Sequence, residues 1–408
     1  MTTTADRSAA PRDPARKPPD DAADRTIVMP PVPATLPEDD PTEVNSALEG
    51  EHAEFRPTTG GWVARGLVWA FLAWVVLAFP VNFLSPFEVG VADIDTASLA
   101  AIYAIGGLSL NVLLGYCGQI SFGHQAFVGI GAFASAYIVS DLQLSFWLAI
   151  AVAALFGGVQ AALLGAVSLR LTGLYFALVT LAYGTFAQET LFGIATITGG
   201  EGGKPAPRPE LFTSGYRYYF VCLGFLALVL WLDWRLTSSR AGRAMAALRE
   251  NPRVASSYGI DVRAYILVAF TVSGIFAGIA GSLMAHHDEV IVGSSFDFRL
   301  ALLFILMTVV GGLRNRVGVV IGSVFFALLE EGALVDMFRL EGFFEGFLDL
   351  PTEFVALVVG PILLVLTLTL YPGGIGQQVA PIRGWLAGRR FDRHAGATQE
   401  VEVSDVRA

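Results

Sequence analysis

Apolar residues run through this chain in uninterrupted blocks of roughly the length, about 17–25 residues, that crosses a bilayer as a helix. Ten such blocks stand out, at about 62–84, 97–114, 118–139, 146–169, 173–192, 216–236, 262–286, 297–313, 316–336 and 352–371. They are continuous rather than alternating, so they predict helices and not strands. The expected fold is all-α: a polytopic membrane protein of about ten spans. The second, third and eighth blocks are short or interrupted by Gly and are expected to be broken or re-entrant. Two connections exceed a tight turn, 193–215 and 237–261.

One stretch violates the pattern. Residues 111–132 carry Asn111, Gln119, Ser121, His124 and Gln125 among Gly115, Gly118, Gly123, Gly129 and Gly131. Polar groups at membrane depth are costly, so they must face protein or a water-filled path. Closely spaced small residues let helices approach backbone to backbone. Together they predict a helix pair lining a solute route. A second Gly-rich segment, near 274–293, occupies a comparable place in the other half of the chain. That weak symmetry fits two five-span halves inverted across the membrane, with interrupted helices at a central site.

Composition supports the membrane class. Of 408 residues, 54% are hydrophobic and 15% charged, against about 45–50% and 25% in soluble domains. The net charge of −10 is partly a tail property, since residues 1–58 contribute −6 and residues 373–408 contribute +1. Residues 1–58, rich in Pro, Asp, Ala and Thr, read as a disordered tail. Residues 59–379 form the membrane domain, and 380–408 a short polar tail. No apolar run within the first 58 residues is long enough for a signal peptide. Cys117 and Cys222 both lie in apolar blocks, which argues against a structural disulfide. With the N-terminus placed in the cytoplasm, Arg65, Arg170, Arg235, Arg240, Arg243, Arg249, Arg253, Arg263, Arg314 and Arg316 fall at inner ends. Only Lys204, Arg208, Arg217, Arg299 and Arg339 fall outside, as the positive-inside bias requires. Both termini are then cytoplasmic.

Connection 237–261 predicts a short amphipathic helix from Arg240, with Met245 and Leu248 on one face and Arg on the others. Asn251-Pro252 breaks it, and a second short helix ends at Gly259. Such a basic pair suits either a groove in another protein or anionic headgroups. Other candidates carry less. Gly202-Gly203-Lys204 resembles a fragment of a phosphate-binding loop, but Pro205 follows the Lys where Ser or Thr is required. That connection reads as a flexible Gly turn. His286-His287-Asp288-Glu289 are adjacent on a helix end and point apart, so they read as solvated caps rather than metal ligands. Glu189, Glu330 and Glu331 read as carboxylates emerging at the interface. Tyr216, Tyr218, Tyr219, Trp231 and Trp234 read as interface anchors. No metal site, cofactor, catalytic constellation or nucleic-acid partner is expected.

The chain resembles the M-type permease subunit of branched-chain (hydrophobic) amino-acid ABC importers. The resemblance rests on Leu114 to His124, Phe127 to Ala132, Thr198 to Gly200, Gly242 to Asn251, Gly259-Ile260 and Gly311 to Leu313, and covers about 60–380. It implies the membrane half of an importer in the cytoplasmic (inner) membrane. A sister permease completes the pathway, and a periplasmic or lipid-anchored binding protein delivers a small amphipathic solute. ATP-binding ABC subunits dock on 237–261. On that reading Asn111, Gln119, Ser121, His124 and Gln125 line the pathway. Arg240, Arg243, Arg249, Glu250, Asn251 and Gly259 serve ATPase coupling. A urea or short-amide permease of the same superfamily is the near alternative. An ion-coupled secondary transporter, with His124 titrating, is the distant one. The chain departs from the family in its acidic N-terminal tail, in Lys204-Pro205, and in a coupling segment unusually rich in Arg and Ala.

Overall fold

The computed structural model describes residues 65–70, 94–169, 171, 173–332, 355–371 and 373–386, all within one unit that spans 57–408. The expected tail 1–58, most of the first expected span and residues 387–408 lie outside the described residues. The remainder is a helical bundle. Helix α1 (Ile94–Leu110) continues as a wider π-helical turn, Asn111–Cys117. There follow α2 (His124–Ser140), α3 (Phe146–Ser168) and α4 (Leu174–Phe186), which again ends in a π-helical turn, Ala187–Leu191. Helices α5 (Gly215–Ser238), α6 (Arg240–Glu250), α7 (Pro252–Ser257) and α8 (Val262–Asp288) come next. Then follow α9 (Phe298–Gly311), α10 (Arg316–Glu330), α11 (Val355–Leu370) and α12 (Gly374–Leu386). Two two-residue strands, β1 (Lys204–Pro205) and β2 (Val290–Ile291), pair antiparallel with Lys204 opposite Ile291.

Local chemistry fixes the helix starts. Ser145, Asp261, Asp297 and Asn315 each accept a hydrogen bond from a backbone N–H of the first turn, which satisfies donors the helix leaves open. Four helical segments among the described residues are long and apolar enough to cross a membrane: Ile94–Cys117, Phe146–Val167, Gly215–Ser238 and Val262–Asp288. Phe298–Gly311 and Val358–Thr367 are apolar but shorter. The all-α membrane class therefore holds.

Helix α8 is the centre of the bundle. Gly274, Gly278 and Gly281 form a stripe at i, i+4, i+7, where side chains on one helix face align. A Cβ at Gly281 would fall onto the Val128 carbonyl, and one at Gly278 onto the Ala153 carbonyl. From the other side, a Cβ at Gly131 would lie 2.6 Å from the Gly278 Cα. Three backbones thus touch without intervening side chains, the packing that substitutes for a hydrophobic drive inside lipid. Large apolar residues such as Leu155, Leu163, Tyr175 and Trp231 remain exposed on α3, α4 and α5, as lipid-facing surfaces require.

Several expectations are corrected. The third block, 118–139, is not helical over residues 118–123. Helix α12 runs through residue 386, so the boundary drawn at 379/380 cuts a helix. Tyr218 is not an interface anchor: it is fully buried, and its hydroxyl donates to the Leu283 carbonyl at 2.5 Å. Tyr219 is buried as well.

Candidate functional site

The polar segment flagged by the sequence becomes a helix, a six-residue break and a second helix. Gly118 sits at φ 72° and ends the first helix, a left-handed conformation that Gly adopts without penalty. The N–H groups of Gly118 and Gln119 both return to the Leu113 carbonyl. Across the break, Phe122 N–H donates to Thr180 Oγ1 at 3.0 Å. A Cβ at Gly123 would strike the Thr180 carbonyl, so the break is seated against α4. Helix α2 then starts at His124 with no side-chain cap.

Asn111, Ser121, His124 and Gln125 are all buried, with 0–1% exposure, and Gln119 is half-buried. They do not form one hydrogen-bonded cluster. Asn111 Oδ1 accepts from the Arg314 backbone N–H at 3.0 Å, tying the first helix to the turn before α10. His124 Nε2 lies 2.6 Å from Ser109 Oγ. Because Ser109 donates its proton to the Gly106 carbonyl at 2.6 Å, the imidazole is the donor of that pair. Its Nδ1 is then an acceptor, and it has no partner among the described residues. Asn111 Nδ2, Ser121 Oγ and both polar atoms of Gln125 are also unpartnered among the described residues. A buried polar atom without a bond costs about 1–3 kcal/mol. This concentration at one helix break leaves several buried polar atoms open to a further hydrogen bond.

The end of the bundle that carries residues 238–262 is basic and tightly knit. Asp233, fully buried, accepts from Tyr116 Oη at 3.0 Å and pairs with Arg316 Nε at 3.0 Å. Arg316 also donates to Thr237 Oγ1 at 2.6 Å. Helix α6 lies against the π-helical turn: Arg249 donates to the Gly115 carbonyl, and Glu250 pairs with Arg314 at 3.4 Å. Burial, and then the nearby Arg314, lower the Arg249 guanidinium from its ordinary pKa.

This corrects the reading of the segment. Met245 and Leu248 are covered by this chain itself and are not free to enter another protein's groove. Arg240 and Arg243 face outward and Arg249 faces inward. Asn251 caps α7 by accepting from the N–H groups of Arg253 and Val254. Gly259 follows at φ 79°. The free surface is Asn251 to Gly259, where Val254 is 50% and Tyr258 82% exposed.

The opposite end is strapped rather than loose. Lys204 pairs with Asp141 at 2.5 Å and lies over the Tyr137 ring. Arg208 donates to the His286 and His287 carbonyls, pairs with Glu289 at 3.4 Å, and lies over the Tyr218 ring. The Gly turn is therefore pinned to the bundle. His286 is not a solvated cap: it is fully buried, bonded through Nε2 to Ser135 Oγ and facing the Ala206 and Pro207 carbonyls through Nδ1. Its neighbour His287 is engaged separately, by Asp288 and the Asp95 carbonyl. Glu330 likewise turns inward, to Tyr103 Oη and Arg299. The Lys204 hydrogen bond, aided by Ser140, holds the Asp141 carboxyl below its usual range. A depressed folded-state pKa gives stabilisation that is present at neutral pH and lost as pH falls below about 4. Hydrogen exchange over residues 199–206, corrected for its intrinsic pH dependence, is expected to speed up through that window. In Asp141→Asn the acid step should be absent and exchange already fast at neutral pH.

Comparison with known proteins places residues 94–367 in the family model described as "Branched-chain amino acid transport system / permease component". The chain is 32% identical over 274 residues to the high-affinity branched-chain amino acid transport system permease protein LivM of Escherichia coli, covering 60% of this chain and 64% of that protein. It is 26% identical over 320 residues to a probable LivM of Methanocaldococcus jannaschii, covering 67% and 90%. It is also 26% identical over 329 residues to the nucleoside ABC transporter permease protein NupC of Lactococcus lactis, covering 74% and 96%. The aligned part thus spans just under two thirds of the Escherichia relative. No solved structure matches.

Proposed function

The chain belongs to the branched-chain amino acid transport system permease family, and from that premise we propose that it is the membrane-spanning subunit of an ATP-driven importer for branched-chain or related small amino acids. The observation that carries the reading is the broken helix with its unpartnered Ser121, His124 and Gln125. A zwitterion that sheds water needs hydrogen-bond partners along its route, and weak, incompletely satisfied groups let it leave again. Asn111 and Gln119 belong to the same route on this reading. Asn111 also holds the break to Arg314 and so shapes the route's wall.

The ten-span arrangement in two inverted halves, with both termini in the cytoplasm, is part of the proposal. Its support is the charge asymmetry and the placement of the two Gly-rich segments. Only the first is a break, at 118–123, whereas residues 274–288 lie within the unbroken α8, so the expected second interruption is corrected. A sister permease and a solute-binding protein complete the machine, and ATP-binding subunits dock on the Asn251–Gly259 surface. Tyr258 and Val254 give that surface an apolar anchor, and Arg253 gives it charge. Arg240 and Arg243 flank it, while Glu250 is engaged by Arg314.

The test is recovery of the ATPase with the tagged complex. An exposed aromatic anchor at an interface is worth about 2 kcal/mol or more. Tyr258→Asp combined with Arg253→Glu should lower ATPase recovery at least tenfold; undiminished recovery would place the docking surface elsewhere. The solute is set by calorimetry on the associated binding protein with leucine, isoleucine, valine, urea and a nucleoside. Heat with the branched amino acids supports the reading. Heat with urea or the nucleoside alone replaces the solute class.

A further inference from the structure

Helix α6 does more than present a surface. The first helix of the broken pair ends at Cys117, and the last carbonyls of a helix have no partner within it. Gly115 is one of those, and its carbonyl is capped by Arg249, which is 134 residues away in sequence. The contact is shaped on both sides. A Cβ at Gly118 would lie 3.2 Å from Arg249 Cγ, a tight approach to the arginine stem, and the φ of 72° there favours glycine as well. A Cβ at Gly115 would collide with the Asn111 amide, and Asn111 Oδ1 in turn takes the Arg314 N–H. Arg314 then reaches Glu250, the residue next to Arg249, at 3.4 Å. Arg249 therefore holds the π-helical turn directly at Gly115, and its neighbour Glu250 reaches the start of the turn, Asn111, through Arg314. Directly beyond the grip come Gly118, then Gln119, Ser121, His124 and Gln125.

We propose that Arg249 is a positioning residue: by capping Gly115 it fixes the break, so that a displacement of α6 moves the polar residues that follow. The transport part of this inference rests on the function proposed above; the cap itself does not. A π-helical turn suits the role, since such turns recur at functional sites. The exposed segment at Asn251 follows Arg249 after a single residue. A pull there reaches the break without passing through the rest of the bundle.

Two native cysteines provide the reporter. Cys117 lies in the gripped turn and is 3% exposed; Cys222 is fully buried in α5. The experiment is timed labelling of the intact complex in membrane vesicles with a membrane-permeant maleimide, read by mass spectrometry at each thiol. In Arg249→Met, which keeps the stem but removes the donor, Cys117 should label at least tenfold faster while Cys222 keeps its wild-type rate. Arg249→Lys, which restores one donor, should return Cys117 to within about threefold of wild type. Unchanged Cys117 protection in the Met variant overturns the proposal. So does general loosening of both thiols in Met together with an unrescued Cys117 in Lys.

Transport separates the two claims. In the Met variant the ATPase should still co-purify, while stimulation of ATP hydrolysis by loaded binding protein falls at least fivefold. Retained stimulation would overturn the positioning role and leave the importer reading intact. A wild-type complex that shows no stimulation at all would overturn the importer reading and leave the cap to be judged by Cys117 alone.

Discussion

Arg316→Met is expected to destabilise the folded chain by about 3–5 kcal/mol, the range seen when one member of a buried ion pair is removed. Asp233 has no exposure, and Arg316 is its cationic partner among the described residues. Tyr116 supplies one neutral hydrogen bond, and Asp233 Oδ1 has no partner among the described residues. Without the guanidinium the carboxylate is left uncompensated in an apolar surrounding. It must then either take up a proton or admit water between α5 and α10. Thr237 loses its donor in the same step. Removing both charges should be far milder, because a well-packed apolar pair replaces a buried ion pair at little cost. Asp233→Leu with Arg316→Met is therefore predicted to recover most of the loss. Denaturant titration of the purified complex in detergent measures both. A double variant as unstable as the single one would show that the pair's charges are not the cause.

The second large effect belongs to the glycine stripe. Gly278→Leu places a branched side chain where α8 already touches the backbones of α2 and α3. Overpacking costs about 1–3 kcal/mol when side chains can shift aside. Here the obstacles are the Ala153 carbonyl and the Ala154 Cα, backbone atoms that cannot rotate away. A loss of about 3 kcal/mol or more, or failure to accumulate in the membrane, is expected. Gly224→Leu is the control, at a glycine of α5 whose added Cβ would meet nothing within 4 Å. That change should be neutral or slightly stabilising, since Leu is the better helix former. Equal loss at both positions would contradict the packing argument.

Helices were legible wherever local composition decides them. The blocks at 146–169, 216–236 and 262–286 match α3, α5 and α8 closely because unbroken apolar runs have no competing structure. The break at 118–123 was also visible as polar and Gly positions, although the expected span began six residues early. What stayed hidden depends on partners distant in sequence. Lys204 and Arg208 sit in a Gly-rich stretch that reads as loose by itself, yet Asp141, Glu289 and two histidine carbonyls pin it. Met245 and Leu248 announced an apolar face, but periodicity does not say what covers it. Helix α12 lies beyond the last apolar block, 352–371, and its second half falls in the stretch read as a polar tail. The signal that could have found it is Ile375, Val379, Ile382 and Leu386, spaced i, i+4, i+7, i+11.

The same limit applies to the site. The pattern identified Asn111, Gln119, Ser121, His124 and Gln125 as anomalous for lipid, and four of them are fully buried. It could not divide them into groups held on one side, such as Asn111 through its Oδ1, and groups with both polar atoms open among the described residues, such as Gln125. Nor could it show that Arg249 points inward, because a basic helix presents charge on several faces and only tertiary packing selects one.

The most direct measurement is uptake by proteoliposomes that hold the complete complex, with radiolabelled leucine and the binding protein outside and ATP inside. The account predicts accumulation that requires ATP, the ATPase and the binding protein together, and that falls at least tenfold in Gln125→Leu while the complex stays assembled. Accumulation by this chain alone, driven by a pH gradient and indifferent to ATP, would contradict it.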